Sequence, residues 1–335
     1  MGYDSQERIK EAIKAQEKLL EENKNNFMNK KLTKCLAPGH STCSGCGIPA
    51  VVRTVLDAID EPVVVINATG CLEVTTTLHP YSAWKVPYIH NAFENAAATA
   101  SGVEAALKVL KRKGKIKDNI KIVAFGGDGG TYDIGLQSLS GMLERGHEVL
   151  YVAYDNQGYM NTGGQRSGAT PLGANMETTP AGTDSFGNQT DRKDIMEIVK
   201  AHHINYLAQS NVAYIEDLKK KAKKAFESKG PSFLLVLQPC TNVWKYPTSQ
   251  YVRIGKLATE TNFWPLYEIE RVTDSYANNY VINYSPKERK PIEEFLKIQK
   301  RFKHLLAPEN KEVVKVIQEN IDRRWEELLR KNQKV

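Results

Sequence analysis

Two short, polar, glycine-rich stretches carry the residues best suited to chemistry. The first contains Asp128, flanked by glycines at Gly127, Gly129 and Gly130, and the second runs from Asp155 to Gln165 and contains Asn156 and Asn161. Glycine lets backbone N–H groups come close to phosphate oxygens, and carboxylate and amide oxygens are ligands that Mg²⁺ prefers. These stretches predict a diphosphate group held through a magnesium ion. The alternative is an ordinary glycine-rich turn after a strand, and the presence of the second stretch favours the diphosphate site.

A strand–helix–strand unit should position both stretches. Ile122–Phe125 and Val149–Tyr154 are apolar runs of strand type, and Tyr132–Glu144 between them has the apolar spacing of an amphipathic helix. Strands joined in this way are parallel, so both polar stretches should leave the sheet at the same carboxyl edge. Ligands of such sheets bind at that edge.

Four cysteines are placed where they could meet the same edge. Cys43 and Cys46 form a Cys-x-x-Cys turn, whereas Cys71 and Cys240 each follow a predicted buried strand. Four thiolates can bind zinc or a [4Fe–4S] cluster, and a Cys-x-x-Cys pair alone can be a redox dithiol. One local pair with two isolated cysteines beside the cofactor stretches favours the cluster. Cys35 is expected to be a plain thiol outside this group.

Composition limits the class of protein. The chain has 335 residues, 41% of them hydrophobic, and a net charge of +7, which is ordinary for a globular chain of one or two domains. The basic residues lie in helical surface runs without interleaved aromatics, so no nucleic acid is expected as a partner. We find no signal peptide and no apolar run long enough for a membrane span, and the five cysteines suit a reducing, cytoplasmic location.

Longer motifs indicate a family. The chain from about His40 to its C-terminus resembles the beta subunits of the 2-oxoacid:ferredoxin oxidoreductases. The motifs that carry the resemblance are GHSTCSGCG, NATGCLE, HNAFENAAATASGVEAA, GGDGGTYDIGLQSLSGMLERGH, YDNQGYMNTGGQRSGATPLGA, LQPC, FWPLYEIE and LKIQKRFKHL. The NATGCLEV and HNAFENAAA segments are most similar to those of the enzymes that use pyruvate.

The resemblance implies a fold and a set of site residues. The fold is α/β, a thiamine-diphosphate (ThDP)-binding fold with a mainly parallel sheet and helices on both faces. Expected domains are an N-terminal helical arm (1–34), a ThDP-diphosphate and [4Fe–4S] domain (35–258) and a C-terminal extension (259–335). By resemblance, Asp128, Asn156 and the carbonyl of Gly158 bind Mg²⁺, and Asn161 lies near the reactive part of the cofactor. Ile48 and Cys71 line the thiamine, and the cluster ligands are Cys43, Cys46, Cys71 and Cys240.

The resemblance also implies a reaction and partner chains. The reaction is the coenzyme A-dependent oxidative decarboxylation of pyruvate to acetyl-CoA and CO₂, with electrons passed to ferredoxin. Alternatives are the same chemistry on 2-oxoisovalerate, 2-oxoglutarate or oxalate, a non-redox ThDP decarboxylase or synthase subunit, and a zinc-stabilised scaffold subunit. The expected partners are a pyrimidine-binding alpha chain, a gamma chain, a ferredoxin-like delta chain and ferredoxin.

Overall fold

An eight-stranded sheet forms the centre of the molecule. The computed structural model describes residues 35–272 and 277–333 together with Lys14; the arm predicted for residues 1–34 lies, apart from Lys14, outside the described residues. The strand order is β10-β9-β7-β8-β4-β3-β1-β2. Its strands are β1 (Val63–Ala68), β2 (Tyr88–Asn91), β3 (Lys121–Gly127), β4 (Leu150–Asp155), β7 (Tyr206–Asn211), β8 (Ser232–Leu237), β9 (Tyr267–Arg271) and β10 (Asn278–Ile282). A separate small hairpin pairs β5 (Ala181–Gly182) with β6 (Ser185–Phe186).

Helices cover both faces of the sheet. The α-helices are α1 (Ile48–Leu56), α2 (Cys71–Thr76), α3 (Ala96–Arg112), α4 (Leu136–Glu144), α5 (Ile195–Lys200), α6 (Ile215–Glu227), α7 (Thr241–Trp244), α8 (Tyr251–Glu260), α9 (Glu293–Leu296) and α10 (Lys311–Asn332). Every residue of β4, β7 and β8 is buried. Burial on both faces explains why β4 and β8 read as nearly continuous apolar runs. The mainly parallel α/β fold is thereby confirmed.

The strand–helix–strand unit is built as predicted. Strands β3 and β4 are parallel neighbours, with Phe125 opposite Val152 and Gly127 opposite Tyr154. The connecting helix differs in detail, because a π-helical turn (Gly129–Ile134) precedes α4. Turns of this type widen the helix and recur at functional sites. Both polar stretches therefore lie at one edge of the sheet.

The last third of the chain contributes to the same sheet. Residues 265–283 show little periodicity in sequence, yet they supply β9, which is antiparallel to β7, and β10, which is antiparallel to β9. Their side chains are mostly half-buried, so a clear alternation of apolar and polar residues is not required. A 3₁₀ helix (Lys300–Leu306) follows β10 and α9, and α10 comes after it. In the parts of the chain that the structure describes, no helix is long and apolar enough to span a bilayer.

Candidate functional site

Three groups that can act as metal ligands meet at the ends of β3 and β4: the Asp128 carboxylate, the Asn156 side-chain amide and the Gly158 carbonyl group. One end of the Asn156 side-chain amide lies 2.8 Å from Oδ1 of Asp128 and 3.0 Å from the carbonyl oxygen of Gly158. If that end is nitrogen, it donates hydrogen bonds to both oxygens. If it is oxygen, three oxygens face one another at the spacing of adjacent ligands in an octahedral magnesium site, about 3 Å. The donor set and its spacing fit Mg²⁺. We call Asp128 and Asn156–Gly158 the magnesium loops.

The carboxylate of Asp128 is buried, and no cationic side chain of the described residues lies at hydrogen-bond distance from it. Its side chain is 1% exposed, and it accepts hydrogen bonds from the Ser167 hydroxyl and, at 3.4 Å, from the backbone N–H of Asn156. Burial and the neighbouring Asp155 raise the pKa of Asp128 well above its usual value. A divalent cation at this position would lower the pKa of Asp128 again, because an opposite charge favours the ionised carboxyl group. The electrostatics therefore also fit a metal ion.

Asp155 is held in place by a different set of groups. Its Oδ2 accepts a hydrogen bond of 2.7 Å from the Tyr132 hydroxyl, and its Oδ1 accepts one of 2.9 Å from the N–H of Gln157. Burial raises the pKa of Asp155 to about 6, although the positive charge of Arg192 and the Tyr132 hydrogen bond oppose the rise. Asp155 thus fixes the backbone beside Asn156 rather than facing the three oxygens.

Two glycines of the magnesium loops are required by close packing. A Cβ atom at Gly129 would lie 2.3 Å from the Tyr159 ring, and one at Gly158 would lie 2.5 Å from the Met176 methyl carbon and 3.0 Å from the Gln165 carbonyl oxygen. Real Cβ contacts are not this short, so a side chain at either position would displace its neighbours. The glycines let the two loops pack directly against each other.

A cleft opens next to these loops. Of the predicted cofactor-binding residues, eight line it: Cys71, Gly127, Asp128, Gly129, Gly130, Asn156, Gly158 and Asn161. Asn161 is exposed at the mouth together with Thr162. Ile48 is not among the residues that line the cleft; it is 1% exposed and packs in the core cluster that contains Val51.

The four predicted cluster ligands come together beside the cleft. Burial raises the pKa of the Cys71 thiol to about 12, with further contributions from Cys240, Cys46 and Cys43 and from Asp128. Burial also raises the pKa of Cys46 to about 12, and Cys240 and Cys43 add to it. Because these thiols act on one another electrostatically, they are neighbours. We call Cys43, Cys46, Cys71 and Cys240 the cysteine rim.

Side-chain donors hold two segments of the cysteine rim together. The Asn242 amide donates to Sγ of Cys43 at 3.2 Å, and the Gln238 amide donates to Sγ of Cys46 at 3.8 Å. The hydroxyl of Thr241 donates to the Ser44 carbonyl oxygen at 3.2 Å. Among the described residues, no group of three or more His, Cys, Asp and Glu side chains is arranged to hold a metal ion. Cys35 is 3% exposed and lies in the core near Asp57.

Sequence reasoning missed several residues that support the site. Ser167 contacts Asp128 from the long loop after the second polar stretch, and Arg301 reaches Gln157 from the last third of the chain. Both residues occur in motifs that resemble the family, RSGAT and LKIQKRFKHL. Their contacts span 39 and 144 positions in the chain, so no local pattern points to them.

Comparison with known proteins shows to which class of protein the chain belongs. The family model described as "Thiamine pyrophosphate enzyme, C-terminal TPP binding domain" matches residues 68–236. A solved structure of 2-oxoglutarate:ferredoxin oxidoreductase from Magnetococcus marinus, with 2-oxoglutarate, coenzyme A and succinyl-CoA bound, matches with a TM-score of 0.54. At 23% identity, over 64% of this chain and 69% of that chain, it shows a shared fold.

Individual relatives of known function show which type of subunit within this class the chain resembles. The pyruvate synthase subunit PorB of Thermotoga maritima is 54% identical over 88% of this chain and 91% of its own length. The ketoisovalerate oxidoreductase subunit VorB of Pyrococcus abyssi is 44% identical over 87% of this chain and 91% of its own length. The chain therefore belongs to the thiamine pyrophosphate family and, within it, to the PorB-type subunits of the 2-oxoacid:ferredoxin oxidoreductases.

Proposed function

We propose that this chain is the subunit that holds the diphosphate end of ThDP during the oxidative decarboxylation of pyruvate. In the overall reaction, pyruvate and coenzyme A give acetyl-CoA, CO₂, one proton and two electrons, and two oxidised ferredoxins each accept one electron. The single observation that carries the proposal is the meeting of the Asp128 carboxylate, the Asn156 side-chain amide and the Gly158 carbonyl group in a cleft that Cys71 also lines. The name of the 54% identical PorB subunit supports pyruvate as the substrate.

The chain's own residues would bind and orient the cofactor. Asp128, Asn156 and the Gly158 carbonyl would hold the magnesium ion, and the backbone of Gly127, Gly129 and Gly130 would face the diphosphate. Bound ThDP supplies an electron sink for the pair of electrons released when CO₂ leaves. Asn161, at the mouth of the cleft, would face the reactive end and orient the substrate through its amide. The protein's part is thus positioning and electrostatics.

We further propose that the cysteine rim binds a [4Fe–4S] cluster. A single zinc ion with Zn–S distances of about 2.3 Å needs four sulfurs within about 4 Å of one another, and no group that could hold such an ion occurs among the described residues. A four-iron cluster takes one thiolate at each iron, so its ligands surround a larger body. Four thiols that interact electrostatically without forming a single-ion site suit that larger body, and Cys71 brings it next to the cleft.

Partner chains are part of the proposal. The described residues contain one ThDP-type domain, which would supply the diphosphate side, so a pyrimidine-binding alpha chain would complete the cofactor site. A gamma chain and a ferredoxin-like delta chain would complete the assembly and pass electrons to ferredoxin. The thiols of the rim suit a reducing cytoplasm. The second candidate substrate is 2-oxoisovalerate, which the 44% identical VorB relative favours.

An anaerobic assay of the purified complex tests the function. Pyruvate, 2-oxoisovalerate, 2-oxoglutarate and oxalate would each be supplied with coenzyme A, ThDP and Mg²⁺, and a viologen dye would accept the electrons. We expect pyruvate to give the highest kcat/KM, and dye reduction to require coenzyme A. Decarboxylation without dye reduction would instead support a non-redox ThDP enzyme. Iron and acid-labile sulfide would be measured on the same samples; zinc in place of iron would contradict the cluster.

A further inference from the structure

A buried arginine connects the magnesium loops with the cysteine rim. Arg301, on the 3₁₀ helix Lys300–Leu306, is 2% exposed. Its guanidinium carbon lies 3.8 Å from the centre of the Trp244 ring, and its Nε donates to Oε1 of Gln299 at 2.9 Å. One terminal nitrogen donates to Oε1 of Gln157 at 2.5 Å. The other is buried without a hydrogen-bond partner among the described residues.

Gln157 occupies an unusual backbone position between two of the candidate magnesium ligands. Its φ is +68°, in the left-handed region that residues other than glycine seldom adopt and that costs about 1–3 kcal/mol. Its N–H donates to Asp155 Oδ1 at 2.9 Å, and its carbonyl oxygen accepts from the Thr170 hydroxyl at 2.9 Å. The Arg301 hydrogen bond fixes its side chain. The conformation that directs Asn156 and Gly158 toward Asp128 is therefore held from three sides.

Trp244 supplies a second connection through the same guanidinium. Its indole N–H donates to the Asn156 carbonyl oxygen at 2.9 Å, while Arg301 stacks on its ring. Trp244 ends the short helix α7, which begins directly after Cys240. One planar cation thus contacts a side chain of the magnesium loops and the helix that directly follows one thiol of the cysteine rim. Arginine suits this place, since its guanidinium stacks on aromatic rings and donates in a fixed fork.

The charge of Arg301 acts on both centres. Burial raises the pKa of the Cys240 thiol, and the backbone amides of Val243 and Asn242 and the charge of Arg301 oppose that rise. Arg301 also interacts with the carboxylates of Asp155 and Asp128. A guanidinium remains charged in proteins, so the cation persists even though burial opposes it.

We propose that Arg301 is a positioning residue that locks the Asn156–Gly158 loop through Gln157 and Trp244 and places its positive charge beside Cys240. The inference rests on the proposed function, because the loop is useful only if it binds magnesium and the charge matters only if the rim binds a cluster. It has two separable consequences. The hydrogen-bonding fork should determine the affinity for Mg²⁺ and ThDP, and the charge should raise the reduction potential of the cluster.

Two substitutions of Arg301 in the complete complex separate these consequences. Arg301→Met removes both the hydrogen-bonding guanidinium fork and its positive charge. We therefore expect ThDP affinity at fixed Mg²⁺ to fall about 10–100-fold, as for other groups that orient metal ligands. We also expect a lower cluster midpoint potential. Arg301→Lys keeps the charge without the planar fork, so its ThDP affinity should fall while its potential stays close to that of the wild type. Calorimetry measures the affinity, and an anaerobic redox titration followed by electron paramagnetic resonance measures the potential.

Controls distinguish failure of this inference from failure of the proposed function. Arg324→Met removes an arginine that is exposed and pairs with Asp191 at 3.6 Å, and it should change neither quantity. If the wild-type complex bound no ThDP and contained no iron, the proposed function would fail and the role of Arg301 with it. Suppose instead that the wild-type complex bound ThDP and contained iron, and that the Arg301 variants had the same ThDP affinity and the same cluster potential as the wild type. The proposed function would then stand, and only the inference about Arg301 would be wrong. Circular dichroism of each variant checks folding, and Arg301→Lys keeps the test open if Arg301→Met misfolds.

Discussion

The magnesium loops and the cysteine rim lie side by side but are built in different ways. The magnesium loops leave adjacent parallel strands whose register is fixed by the ladder between Gly127 and Tyr154, and Asp128 and Asn156 are buried. The rim collects thiols from three separate segments, and Cys43 is exposed. The contacts that join two of those segments include N–H···S hydrogen bonds, which are weak. The sheet therefore preforms the magnesium loops, whereas the arrangement of the cysteine rim depends on loops and on any group that the rim binds.

The largest expected effect is at the preformed centre. Asp128→Asn keeps the shape of the side chain but removes the charge on which the magnesium ion depends. We expect ThDP binding at fixed Mg²⁺ to weaken by more than about 100-fold, the upper end for groups that only support a ligand. Calorimetry on the complex measures this loss, and Asp184→Asn, on an exposed acidic residue, is the control. Unchanged ThDP affinity in Asp128→Asn would refute the assignment of the magnesium loops.

The next prediction tests whether the two centres are independent. Cys240→Ser should remove most of the iron and sulfide, because a serine hydroxyl is a poor replacement for a thiolate ligand. The ThDP affinity should stay within about twofold of the wild type, since the magnesium loops are positioned by the ladder between β3 and β4, in which Cys240 takes no part. Iron analysis measures the iron content and calorimetry measures the ThDP affinity, both on the same preparation. Cys35→Ser is the matched control. Full iron content in Cys240→Ser would show that Cys240 is not a ligand of the cluster.

A smaller effect is expected from a residue that supports the magnesium loops. The Ser167 hydroxyl hydrogen-bonds the buried Asp128 carboxylate, so Ser167→Ala leaves one oxygen without its donor. We expect an affinity for Mn²⁺, used as a spectroscopic substitute for Mg²⁺, that is about tenfold lower. Electron paramagnetic resonance of free Mn²⁺ measures this change, with Thr183→Ala on the exposed hairpin as control. An affinity equal to that of the wild type would show that the loop holds Asp128 without this hydroxyl.

The smallest effect concerns reactivity rather than binding. Thiolates are the reactive species, and burial together with Asp57 raises the pKa of Cys35 to about 12, so few of its thiols are ionised at pH 8. No such burial protects the exposed Cys43. In anaerobic alkylation of iron-free complex at pH 8, Cys43 should be labelled first and Cys35 last, as read by peptide mass spectrometry. Equal rates would contradict the buried position of Cys35.

Local patterns were sufficient for the framework of the site. The apolar runs before Asp128 and Asn156 and the helix between them predict a parallel strand pair, which the ladder between β3 and β4 confirms. They were insufficient for residues 265–283, whose half-buried strands show no clear alternation. They also did not determine the surroundings of Ile48, which is buried in the core and does not line the cleft, so its place beside the thiamine stays a prediction. A buried apolar side chain looks the same in sequence whether it faces a ligand or other apolar groups.

The sequence by itself determined which groups could do chemistry and which strand ends carry most of them, because the glycines, the carboxylates and two of the four thiols follow apolar runs of strand type. Only the tertiary structure decided how those groups are supported. Ser167 reaches Asp128 across a long loop, and Arg301 reaches Gln157 across almost half the chain. Contacts of this kind arise when the sheet closes and distant segments are packed together, so no local periodicity encodes them.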